Sequence, residues 1–133
     1  MAETQARKRV LVVDFDKGVA KTLALVFEAD GYEVRTEHTA EAALATTTEW
    51  QPDLAVIEII LFHMNGLECA NALRRRYHDC RIILLYASAA PWILEEAQGR
   101  GYETFEKPVN PESLLTAVAK LLNEKLDSDS SLE

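Results

Sequence analysis

Two uninterrupted apolar runs each end on an acid: Val10-Leu11-Val12-Val13 leads into Asp14, and Leu54-Ala55-Val56-Ile57 leads into Glu58. A strand with one wet face alternates apolar and polar residues, whereas runs without alternation suit strands covered on both faces, as in a parallel sheet wrapped by helices. A Lys107-Pro108 pair follows a further strand-like segment. In open parallel sheets the ligand crevice lies outside the carboxyl ends of the strands, so Asp14, Glu58 and Lys107 are expected to share one pocket.

Helical spacing fills the intervals. Val19, Leu23 and Phe27 recur every four residues; Leu67, Ala70, Leu73 and Tyr77, and then Leu114, Val118, Leu121 and Leu122, recur at threes and fours. Asp16 is placed to cap the first helix, Gly31 to stop it near Asp30, and Asn110-Pro111 reads as a cap followed by a first-turn proline. An Ala-rich second helix is expected from about Thr39 to Glu49, ending before Pro52, and a fourth from about Pro91 to Gly99. With strands near residues 8–14, 32–36, 53–58, 81–86 and 102–106, the order is βα five times over, a single doubly wound α/β domain across residues 9–125. Residues 1–8 and 126–133 are expected to be flexible ends. A chain of 133 residues can bury about two-thirds of its unfolded surface, enough for a core without staples.

Charge and composition narrow the function. Twenty-two acids against 14 bases give a net charge of -8, which argues against nucleic acid as a partner, since phosphate binding needs a positive face. Arg74-Arg75-Arg76 is a basic run, but on a helix its members point about 100° apart and read as a solvated face. No apolar stretch approaches about 18 residues and no leader is evident, so a cytoplasmic protein without membrane contact is expected. Cys69 and Cys80 form no Cys-x-x-Cys, and His38, His63 and His78 lack ligand spacing, so buried thiols and ordinary surface histidines are expected and no zinc-type centre.

Val13-Asp14 after strand one, the acid ending strand three, the Met64-Asn65-Gly66 turn and Lys107-Pro108 after strand five, in that order, closely resemble the receiver domains of bacterial response regulators. The stretches Gln51-Pro52-Asp53-Leu54 and Pro111-Glu112-Ser113-Leu114 add to the likeness, which covers about residues 8–124. The resemblance implies a flavodoxin-like, CheY-like (βα)5 fold with strand order 2-1-3-4-5, working in two-component or phosphorelay signalling. Receivers accept a phosphoryl group on an aspartate, and Glu58 stands at that position with its carboxylate one methylene further out. In-line transfer depends on close placement of the reacting groups, so phosphorylation of Glu58 is not expected.

Other positions of the family pattern are altered too. The second of two acids after strand one, the direct magnesium ligand, is here Phe15, and a phenyl ring cannot ligate a hard cation. Asp16 lies one residue on and doubles as the helix cap. No resident cofactor is therefore expected; any magnesium would have to use Asp14, Asp16 and Glu58. The hydroxyl position ending strand four is Tyr86, with Ser88 two residues on as an alternative, and the aromatic expected three residues before the lysine is Thr104. Tyr86 and Thr104 read either as an exchange of large and small side chains or as independent drift. Lys107 alone of the reactive set is unchanged, and without a phosphoryl group its ammonium should pair with Glu58 or Asp14.

The expectation is thus a non-enzymatic, phosphorylation-independent pseudo-receiver acting through protein–protein contact with a sensor kinase, another signalling protein or a second copy of itself. Trp92 and Ile93 are the interface candidates, because neighbouring helical side chains diverge and both cannot be fully buried. Two alternatives stand beside it. A phosphorylatable receiver would use an atypical magnesium site of Asp14 and Asp16, with Glu58 or Asp53 modified, although Asp53 opens its strand at the wrong end of the sheet. A flavodoxin-like small-ligand module would need a Gly-rich phosphate loop, where Asp16-Lys17-Gly18-Val19 offers one glycine.

Overall fold

A computed structural model describes residues 7–131, with side chains as far as Asn123. The elements alternate: β1 (Arg9–Val13), α1 (Lys17–Ala29), β2 (Glu33–Glu37), α2 (Ala40–Thr46), β3 (Leu54–Glu58), α3 (Gly66–Arg76), β4 (Arg81–Tyr86), α4 (Pro91–Gly99), β5 (Glu103–Glu106) and α5 (Pro111–Ser131). All neighbouring strands pair in parallel, in the order β2-β1-β3-β4-β5.

The two apolar runs lie at the centre because both faces of their strands are covered. Val10, Val12, Leu54 and Val56 pack under α1 and α5 with Phe27, Leu114 and Val118, while Leu11, Val13, Ala55 and Ile57 face the other layer with Leu67, Leu73 and Ala97 from α3 and α4. Alternate side chains of a strand point to opposite faces, so one run feeds two cores. Edge strand β2, by contrast, reads Glu-Val-Arg-Thr-Glu and is partly open to solvent.

The caps act as the sequence suggested. Asp16 accepts from the amides of Gly18 and Val19, Asp30 ends α1 with Gly31 at φ 97°, and Asn110 accepts from the Ser113 amide. Helix α2 is shorter than the expected 39–49. Past Thr46 the hydroxyls of Thr47 and Thr48 donate to the carbonyls of Leu44 and Ala45, and β-branched residues whose side chains compete for backbone acceptors loosen the last turn. Helix α5 continues past residue 125 to Ser131, since no Gly or Pro interrupts it after Pro111; the flexible ends expected at 1–8 and 126–133 fall partly outside the described residues. No helix among the described residues is long and apolar enough to cross a membrane.

Candidate functional site

The carboxyl ends of β1, β3 and β5 bring together the three residues that the sequence assigned to one pocket. Asp14 follows β1 and is 1% exposed, Glu58 ends β3 and is 3% exposed, and Lys107 directly follows β5 and is joined to Pro108 by a cis peptide bond. The Lys107 ammonium donates to Asp14 Oδ2 at 2.8 Å and also pairs with Glu58 Oε1. The lysine expected to pair with Glu58 or Asp14 is paired with both.

The remaining oxygens of the pair are taken by backbone. Asp14 Oδ1 accepts from the Asp16 amide at 2.9 Å, and Glu58 Oε2 accepts from the Ile60 amide at 3.2 Å. Two buried carboxylates against one cation are thus compensated by backbone donors, which a buried ion pair needs if it is not to lose more solvation than it gains in attraction. Burial pulls the Lys107 pKa down, but the hydrogen bonds and charges of Asp14 and Glu58 outweigh it and leave the ammonium's pKa above its ordinary value.

Local chain geometry fixes Glu58. A Cβ on Gly66 would fall on the Glu58 carbonyl oxygen and 2.7 Å from the Ile59 Cα, and the Gly66 amide donates to the Ile59 carbonyl at 2.8 Å. Only glycine lets α3 start this close to the end of β3. Asn65 and Glu68 form a reciprocal capping box at the same place, and His63, at φ 67°, turns the intervening loop.

Asp16 stands apart from this cluster, its carboxylate committed to capping α1. Phe15 is 46% exposed and packs edge-on against Phe62, the ring centroids 5.7 Å apart at 74°. Phe62 and Ile60, both exposed, belong to the apolar stretch Ile59-Ile60-Leu61-Phe62 that immediately follows Glu58. They escaped the sequence reading, although an apolar run continuing beyond a strand-ending acid was the available signal. His38 escaped it too: its Nδ1 lies 3.0 Å from the Asp14 carbonyl oxygen and so buttresses the pocket from β2's end. Among the described residues no three His, Cys, Asp or Glu side chains are arranged as metal ligands.

Tyr86 and Thr104 lie on one face of the sheet but not opposite each other. Register pairs Thr104 with Leu84 and Tyr86 with Glu106, so the two are diagonal neighbours; Tyr86 packs partly buried against the α3–α4 layer, and Thr104 Oγ1 receives Gln98 Nε2 at 3.4 Å. Ser88 is exposed in the turn after β4. On α4, Trp92 is 60% exposed whereas Ile93 is half-buried against the core, so the pair divides as helical geometry requires. Cys69 and Cys80 are buried and form no disulfide, burial pushing the Cys69 thiol up to about 12. Beside Lys107 an open groove of about 760 Å³ runs between α1 and the start of α5, lined by Val19, Leu23, Val26, Pro108 and Val109 among others.

This geometry has known counterparts. Residues 10–119 match the response regulator receiver domain family. The DNA-binding response regulator MtrA of Mycolicibacterium smegmatis is 25% identical over 126 residues, 95% of this chain and 55% of that protein. The response regulator MprA of Mycobacterium ulcerans is 30% identical over 129 residues, 94% of this chain and 55% of that protein. The chain therefore spans about half the length of these curated relatives. A CheY-like receiver domain from Methanospirillum hungatei superposes with a TM-score of 0.88 at 27% identity, over 92% of this chain and 99% of that one. With the five-stranded topology, the paired Lys107 and the matched residues 10–119 in agreement, the chain belongs to the response regulator receiver domain family of two-component signalling.

Proposed function

We propose that this receiver signals without being phosphorylated, by presenting one persistent conformation to a protein partner. The observation that carries this reading is Lys107, whose ammonium sits between Asp14 and Glu58. In receivers this lysine contacts the phosphoryl group; here Glu58 supplies the negative charge permanently. Addition of a phosphoryl group to Glu58 would have to break the ion pair and displace the Ile60 amide from a carboxylate that is nearly fully buried.

The same donor set disfavours a magnesium ion. Asp14 is shared between Lys107 and a backbone amide, Asp16 is turned to its helix, and Phe15 stands where the family's direct ligand would. Magnesium demands near-octahedral oxygen ligation, and a pocket already neutralised by an ammonium offers it little. We read the domain as binding rather than catalytic. Trp92 on α4 is the anchor on offer to a sensor kinase, another signalling protein or a second copy, because a large exposed aromatic buries much area at small entropic cost.

Incubation with a small phosphodonor and magnesium, followed by intact-mass measurement, tests the reading. The protein should keep its mass. A stoichiometric, alkali- and hydroxylamine-labile phosphoryl group mapped to Glu58 or Asp16 would replace this proposal with a phosphorylatable receiver of atypical metal site.

A further inference from the structure

At the opposite end of the sheet from Lys107, α3 and the turn between α4 and β5 flank an open pocket of about 330 Å³ lined by Asn71, Arg74, Arg75, His78, Arg100 and Tyr102. No carboxylate lines it, in a chain whose net charge is -8. Of its three guanidinium groups, Arg100 is engaged by Glu96 at 3.0 Å on the exposed side of α4. Arg74 is held differently: its Cζ lies 6.0 Å from the Tyr102 ring centroid, and its Nε is shielded from solvent without an acceptor among the described residues. Among the described residues the Arg74 guanidinium as a whole makes no hydrogen bond or ion pair, and a cation left without an acceptor is uncommon.

The neighbours are arranged as donors. The Tyr102 hydroxyl donates to Asn71 Oδ1 at 2.7 Å, which leaves the Asn71 amide nitrogen to donate elsewhere. Burial raises the Tyr102 pKa, an effect that the nearby Arg74, Arg100 and Arg75 reduce without reversing.

We propose that this arginine pocket is a binding site for a small phosphorylated molecule. Guanidinium groups match phosphate oxygens with two parallel hydrogen bonds, and the cation–π contact with Tyr102 holds Arg74 near the pocket. The volume lies at the small end of ligand pockets, which are about 300–1,000 Å³. Size also separates this ligand from nucleic acid. A compact phosphate stays within the roughly 8–10 Å over which charge acts in physiological salt, whereas a duplex would lie along a surface that is acidic overall.

Amide spectra recorded while inorganic pyrophosphate is titrated into the full chain test the site. Saturable shifts are expected across residues 71–78 and 100–102. Arg74→Met and the solvent-exposed Arg75→Met should each weaken binding about tenfold or more, the worth of a charge-assisted hydrogen bond, while Lys21→Met on α1 should leave it unchanged. Thermal melts confirm that the variants fold, and Arg75→Met carries the test should Arg74→Met lose the Tyr102 contact and unfold. Absence of saturation at millimolar pyrophosphate, shifts centred on Lys107, or unchanged affinity in the folded arginine variants would overturn the proposal. So would a short DNA duplex that occupies the same residues more tightly than pyrophosphate does.

Discussion

The two ends of the sheet treat charge in opposite ways. At the carboxyl end, Asp14, Glu58 and Lys107 satisfy one another and the spare oxygens take backbone amides. At the amino end, Arg74 and Arg75 line a pocket without a carboxylate. The carboxyl end, where the family performs its chemistry, pairs its charges within the cluster; in the amino-end pocket, where no motif lies, Arg100 is paired with Glu96 but Arg74 makes no ion pair. Residues that match a motif are thus no guide to where a chain still has binding capacity. What counts is whether their hydrogen-bonding groups are already used.

Breaking the paired cluster should have the largest effects. Gly66→Ala puts a methyl group into the Glu58 carbonyl and the Ile59 backbone, which cannot swing aside as a side chain would; a loss of about 3 kcal/mol is expected in a denaturant titration. Lys107→Met should cost about 1–3 kcal/mol, because it leaves Asp14 and Glu58 buried beside each other without the cation. Adding Glu58→Gln should recover part of that loss, and a double-mutant cycle measures the coupling. A neutral Lys107→Met would show that the two carboxylates are well hydrated and that the cluster is paired in geometry only.

The pH dependence sharpens the same point. The folded-state pKa of Lys107 lies above its ordinary 10.5, so the pair's contribution is fully present below that value and is lost as pH rises through the folded pKa. Denaturant midpoints of the parent should therefore fall in the alkaline range more steeply than those of Lys107→Met.

How much of this was legible in the sequence differs between the two ends as well. Element order and the meeting of Asp14, Glu58 and Lys107 followed from apolar runs ending in acids, because residues at strand ends of a parallel sheet converge whatever their detailed rotamers, while the strand order came from the resemblance to receiver domains. The end of α2 did not follow, since the hydroxyls of Thr47 and Thr48 act through hydrogen bonds that periodicity does not register. Nor did the Phe15–Phe62 contact or the His38 buttress, which depend on loop paths. Arg74-Arg75-Arg76 was read as a solvated face from its 100° spread. That same spread sends Arg74 over Tyr102 and Arg76 to the Leu44 carbonyl and Thr47 hydroxyl, partners that exist only once distant segments have met.

Smaller effects belong to residues outside the cluster. Phe15→Asp with Glu58→Asp re-creates two hard oxygen ligands on adjacent strands and should confer magnesium affinity detectable by calorimetry where the parent shows less. Trp92→Ala, on an exposed side chain, should change stability by no more than about 0.5 kcal/mol, yet reduce self-association or partner capture measured by light scattering and pull-down. If it changes neither, α4 is not the contact surface and the groove beside α1 takes its place.

The most direct test of a receiver locked by its own lysine is a titration with magnesium and fluoroberyllate, a phosphoryl mimic, followed through the amide signals of Asp14, Glu58, Ile60 and Lys107. On the proposed reading Lys107 already occupies the carboxylates the mimic would need, so these signals should stay where they are at concentrations that saturate an ordinary receiver. Saturable shifts at those residues, dependent on both magnesium and fluoroberyllate, would contradict it.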